Sequence, residues 1–153
     1  MKCLLTIIPF LASALAAPQP EVFPLPAAPG TFAKFPAPFA PRLVNSSDYD
    51  FASLDTRQDE NGRFRIVICS GSHGSGQCLN WGQKGHCWDF NDDNLKAYND
   101  AVSSVYPQQQ GVAWTLWEHT KCKGAGLEVY GAVENLADYG FNDKTSAFTW
   151  RLL

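Results

Sequence analysis

The chain has 153 residues, a net charge of −3 and 18% charged residues, with 45% hydrophobic and 13% aromatic content. Its 12 Lys and Arg residues are scattered, with no stripe or cluster, which argues against nucleic acid or an anionic membrane as the main partner.

Residues 1–16 read as a secretory signal peptide. Lys2 supplies a positive start, Leu4 to Leu15 is an uncharged apolar run, and Ala14-Leu15-Ala16 offers the small residues of a cleavage site. The run is too short to span a hydrocarbon core of about 30 Å, and no other stretch approaches that length, so no membrane span is expected. The mature protein is therefore expected to be secreted and extracellular.

Residues 17–58 differ in kind. Eight of the 10 prolines fall between Pro18 and Pro41. Proline fixes φ and donates no hydrogen bond, so the segment is expected to be a disordered linker or pro-segment. Phe23, Phe32, Phe35 and Phe39 exceed what a solvated tether needs, but a loose tail is the favoured reading. Asn45-Ser46-Ser47 is an N-glycosylation sequon, with Asn45 the acceptor.

If Cys3 leaves with the signal, four cysteines remain: Cys69, Cys78, Cys87 and Cys122. An even number in an exported chain points to two disulfides. The spacing has no C-x-x-C pair, which disfavours a zinc site with His73, His86 or His119. Four cysteines allow three pairings and the sequence does not choose; Cys69–Cys78 with Cys87–Cys122 is the one favoured.

The domain is expected over 59–153. Phe64-Arg65-Ile66-Val67-Ile68, Val105-Tyr106, Trp114-Thr115-Leu116-Trp117, Leu127-Glu128-Val129-Tyr130 and Ala147 to Leu152 are short strands rich in branched and aromatic residues. Gly71 to Gly76 and Gly124 to Gly126 break them, and one helical turn is expected within Asp92 to Tyr98. Strands of this length with frequent turns suggest a sandwich. The five tryptophans, Trp81, Trp88, Trp114, Trp117 and Trp150, are expected in its core rather than along a ligand groove.

An internal repeat organises the domain. Placing Gly76 on Gly124 superposes Leu79 on Leu127 and Phe64–Ile68 on Val112–Leu116. After one length difference of about five residues, Tyr98-Asn99-Asp100-Ala101-Val102-Ser103-Ser104 lies over Phe141-Asn142-Asp143-Lys144-Thr145-Ser146-Ala147. Two similar units, 64–107 and 112–153, could each cover the other's apolar face.

With these runs the domain resembles the βγ-crystallin family, over about 64–153 and none of the proline-rich segment. Trp117-Glu118-His119-Thr120-Lys121-Cys122-Lys123-Gly124 is similar to the family's folded hairpin, with Cys122 in place of an aromatic. The first unit departs, with Cys69 at the hairpin aromatic and Ser70 at the acid. The resemblance implies an all-β fold of two four-stranded Greek-key motifs forming a β-sandwich, with one strand exchanged between sheets.

It also implies calcium. The family pattern N/D-N/D-x-x-S/T-S is met in full by Asn99 to Ser104 and fails only at Ala147 in the second copy. By resemblance, Ser103 and Ser146 supply hydroxyls and Asp100 and Asp143 carboxylates. Carbonyls come from Ala101 or Lys144 and from the other motif's hairpin near Ser70 or Glu118. Calcium takes six to eight oxygens of mixed kind, which Asn-Asp-x-x-Ser can offer, although the same residues also form plain turns. Asp100 is grouped with Ser103 and Asp143 with Ser146, and Lys144 is expected to weaken the second site. Asp89 to Asn94 lacks the central Gly and closing Glu of an EF-hand and is read as a polar loop.

No catalytic set stands out. His73 among serines is on a flexible Gly-rich hairpin, His86 and His119 read as surface residues, and Glu118 and Glu128 as a hairpin contact and a solvent-facing strand position. The expected function is non-enzymatic, calcium-binding and structural or stress-related. The alternative is a secreted interaction protein with an extracellular or cell-wall partner: toxin-like or antimicrobial, a protease inhibitor, or a host-directed effector.

Overall fold

A computed structural model describes residues 39–49, 64–82, 87–91 and 95–153. They form two antiparallel sheets. In the smaller, β2 (Arg65–Cys69) lies between β3 (Cys78–Gly82) and β5 (Ser104–Pro107). The larger has the order β1-β7-β6-β8-β4, from β1 (Arg42–Asn45), β7 (Lys123–Val129), β6 (Val112–His119), β8 (Ala147–Leu152) and β4 (Trp88–Asp89).

The connectivity follows from the repeat. The first unit supplies β2 to β5, but its third strand, β4, pairs with β8 of the second unit. Reciprocally, the third strand of the second unit is reduced to a bridge at Val133, which pairs with Val105 of β5. Each half thus lends a strand to the other's sheet, as expected of exchanged Greek keys, and neither sheet is complete without both halves.

Alternation along the strands builds the core between the sheets. Ile66 and Ile68 of β2 face Trp114 and Leu116 of β6, with Leu127, Val129, Phe148 and Trp150 filling the layer. Trp114 and Trp117 are fully buried and Trp150 nearly so, while Trp81 and Trp88 are half-buried beside each other. The tryptophans therefore serve packing. The repeat is visible in the backbone as well. His73 and Lys121 both have positive φ, as do Gly74 and Cys122, Gly76 and Gly124, and Asp100 and Asp143. The hairpin pairs share one offset; the Asp pair is five positions closer, the length difference seen in the sequence.

Both disulfides are present. Cys69–Cys78 joins directly opposed residues of β2 and β3, with Cα atoms 4.1 Å apart. Cys87–Cys122 ties the start of the exchanged strand β4 to the hairpin of the second unit, at 5.9 Å.

Two expectations require correction. The reading of 17–58 as a loose segment does not hold for residues 39–49. Arg42–Asn45 adds a fifth strand to the large sheet, in register from Arg42 opposite Glu128 to Asn45 opposite Ala125. Tyr49 then packs edge-on against Trp117, ring centroids 5.1 Å apart, and Val44 joins the same cluster. Second, Glu128 is not solvent-facing: it is fully buried, because this segment covers the sheet's outer face. The helical turn expected within Asp92 to Tyr98 is present as a short 3₁₀ turn, Lys96–Tyr98. The signal peptide 1–16, the rest of 17–58, the boundary at 59 and His86 lie outside the described residues.

Candidate metal centre

The two Asn-Asp-x-x-Ser loops hold each other. Asp100 N–H donates to the Thr145 carbonyl at 3.0 Å, and Asp143 N–H donates to the Val102 carbonyl at 3.1 Å. The serine amides reach the hairpins: Ser103 N–H donates to Cys69 O and Ser146 N–H to Trp117 O, each at 2.8 Å. Within each loop the Asn side-chain amide donates to the neighbouring Asp carboxylate, Asn99 to Asp100 at 2.9 Å and Asn142 to Asp143 at 2.7 Å. Asp100 and Asp143 adopt φ of 51° and 53°, a left-handed conformation that short polar side chains tolerate best. Strain of this kind persists where the surroundings fix it, here through the cross-loop bonds.

Two oxygen clusters result, and both are shared between the motifs. In the first, the buried Ser103 hydroxyl is 3.1 Å from the Ser70 carbonyl and 3.4 Å from Asp143 Oδ1. In the second, the buried Ser146 hydroxyl donates to Asp100 Oδ1 at 3.0 Å. Both aspartates are exposed, so each cluster opens to solvent. The grouping of Asp100 with Ser103 and of Asp143 with Ser146 is therefore corrected. Each serine meets the aspartate of the other loop, because the pseudo-symmetric halves face one another. Ala101 and Lys144 occupy the third loop positions, and Lys144 Nζ lies 3.6 Å from Glu118 Oε1.

The donor set is all oxygen: one carboxylate, one hydroxyl and a hairpin carbonyl in the first cluster, a chemistry that suits a hard divalent ion. Among the described residues, Cys69, Cys78, Cys87 and Cys122 are committed to disulfides and supply no thiolate. Two further oxygens at these loops were not singled out in the sequence. Asn99 Oδ1 and Thr145 Oγ1 are buried without a hydrogen-bond partner. Only their places in the repeated motif, first and fourth, could have marked them. Of the rival sites, Asp89 accepts a hydrogen bond from the Lys121 amide. His73 lies 3.9 Å from Glu134 Oε2, an exposed ion-pair geometry, rather than against a serine hydroxyl.

A buried ion-pair cluster lies elsewhere, on the outer face of the large sheet. Glu128 accepts hydrogen bonds from Arg151 Nε and Nη2, each at 3.0 Å, from Arg42 Nε at 3.0 Å, and from the Tyr130 hydroxyl. Burial alone would raise its carboxyl. Hydrogen bonds from Arg151 and Tyr130 and the charges of Arg151 and Arg42 outweigh it and hold the group below the ordinary glutamate range.

Neither a family model nor a curated protein matches the sequence. Solved structures do. One, described as bearing on the evolution of the eye lens βγ-crystallin domain fold, matches with a TM-score of 0.51 at 18% identity, covering 58% of this chain and 86% of that one. A βγ-crystallin domain from Clostridium beijerinckii matches with a TM-score of 0.50 at 12% identity, covering 57% of this chain and 97% of its own. The chain has the βγ-crystallin fold. At these identities the likeness extends to architecture and no further. Within that fold, this chain adds an N-terminal strand and two disulfides to the pair of Greek keys.

Proposed function

We propose that the chain is a secreted, non-enzymatic βγ-crystallin-like protein that binds calcium, in a structural or stress-related role. The observation that carries the reading is the crossing of the two loops, which sets the carboxylate of one motif against the hydroxyl of the other. Ser103, Asp143 and the Ser70 carbonyl would hold one ion. Ser146, Asp100 and the hairpin at Glu118 would hold the other, with carbonyls of Ala101 and Lys144 as further donors. An ion bound there supplies positive charge bridging both motifs, so its binding energy adds to the stability of the folded domain. Few carboxylates per site agree with the modest affinities of extracellular modules, roughly 10⁻⁴ to 10⁻³ M. Secretion is supported by two disulfides, which persist in oxidising compartments. Among the described residues, no helix is long and apolar enough to cross a membrane.

The test is a calorimetric calcium titration of the full chain, with magnesium as comparison. Saturable calcium binding lost in Ser103→Ala and Ser146→Ala together is expected. Absence of binding at millimolar calcium would reduce both loops to turns.

A further inference from the structure

We propose that residues 39–49 form a strap that acid releases from the domain, with Glu128 as its latch. The strap joins the sheet through a four-residue ladder, and its own side chains are little buried: Phe39 is 59% and Leu43 65% exposed. Its attachments among the described residues include ring contacts, hydrogen bonds and one ion pair. Phe39 meets Tyr130 edge-on at 5.3 Å, Ser46 Oγ accepts from the Gly124 amide at 3.0 Å, and Tyr49 rests on Trp117. The charged attachment among the described residues is Arg42 Nη2 to Glu128 Oε1, at 2.9 Å.

That attachment is asymmetric. The carboxylate is fully buried, and its other partners, Arg151 of β8 and Tyr130 after β7, belong to the domain. The Arg42 side chain is 59% exposed and reaches in from the strap. The groups facing Glu128 are thus Arg42 from β1, Arg151 from β8 and Tyr130. Beyond them, the Tyr49 hydroxyl lies 3.4 Å from Thr115 of β6. When Glu128 gains a proton, the charge that fastens Arg42 disappears and two arginines remain beside a neutral acid. Repulsion between them is relieved by the mobile one leaving, and that one is on the strap. The carboxyl is held below the ordinary glutamate range, so the latch stays closed at neutral and mildly acidic pH. It opens as the pH falls through the folded value. Release bares the hydrogen-bonding edge of β7 and the face of Trp117, surfaces suited to pairing with another extended chain.

The experiment is amide hydrogen exchange by mass spectrometry on the full chain, corrected for intrinsic pH dependence, from pH 7 to pH 2. Peptides covering 39–49 and β7 are expected to lose protection tenfold or more at acid pH, while peptides of β6 and β8 keep theirs. Glu128→Gln should show the same loss at pH 7. Arg42→Gln leaves the Glu128–Arg151 pair intact and should free the strap at every pH, so it decides the matter if Glu128→Gln does not fold. Strap protection unchanged in Arg42→Gln, or lost only when β6 and β8 also lose theirs, would overturn the proposal.

Discussion

If each calcium site is built from both motifs, alanine substitutions should couple across the repeat rather than along the chain. Ser103 meets Asp143, and Ser146 meets Asp100. A ligand that binds only the folded form stabilises it by RT ln(1 + [L]/Kd), so calcium at a hundredfold over Kd contributes about 2.7 kcal/mol per site. For a domain of this size that is a rise in Tm of about 10–20 °C per site. Ser103→Ala should remove one such increment. Adding Asp143→Ala should remove almost nothing more, because the site is already lost. Adding Asp100→Ala instead should remove the second increment, about 5 kcal/mol in all. Melting curves of the unsubstituted chain and the three variants, with calcium and with chelator, give the four differences required. In chelator the variants should differ far less. The reasoning is refuted if Ser103 and Asp143 behave additively while Ser103 and Asp100 do not, since sites would then lie within single loops.

Lys144→Gln should tighten calcium binding at the Asp100–Ser146 cluster several-fold and leave the other cluster alone; site-resolved titration by NMR checks it. Gly126→Ala should lower stability by about 1–3 kcal/mol. An added Cβ would sit 2.8 Å from the Trp117 ring, which is pinned by its indole bond to Thr149 Oγ1 at 3.1 Å and by Tyr49. Chemical unfolding with the slope unchanged would measure the loss. Because the folded carboxyl of Glu128 is depressed, its contribution is whole above the unfolded value and lost as pH falls through the folded one. Glu128→Gln should therefore flatten the acid limb of the stability–pH curve. A chain beginning at residue 59 should melt below the full chain, having lost the cover on Trp117 and one of the two arginines on Glu128; equal Tm values would contradict that role for residues 39–49.

Much of this was legible in the sequence because it is encoded locally. The glycines of the hairpins and the Asn-Asp pairs of the loops are residues that tolerate positive φ, so the repeat could be aligned before any fold was known. The strands of the second unit announce themselves by alternation. What stayed hidden depends on partners distant in the chain. Arg42–Asn45 has no alternating pattern of its own, and its ion pair is with a residue 86 positions away. The sequence Leu127-Glu128-Val129 distinguishes two faces but not which of them is covered. Trp88–Asp89 is too short to read as a strand and exists because β8 offers it an edge. The repeat marked the two loops but not how their residues meet, since Asp100 and Ser103 are neighbours in sequence and members of different clusters in space.

The bond between Cys87 and Cys122 spans 35 residues, and the link between the motifs, Gln108 to Gly111, falls inside that span. A protease that cut there would leave one covalent molecule, with the halves still held at the exchanged strand. In the chain-entropy view a loop of this length also removes about 4 kcal/mol of freedom from the unfolded chain. Reduction would change the outcome of the same cut: the two Greek keys would become separate polypeptides, held by the packing and strand pairing they share. Tolerance of a nick between the two motifs is thus a property of one thiol pair rather than of the surrounding loop.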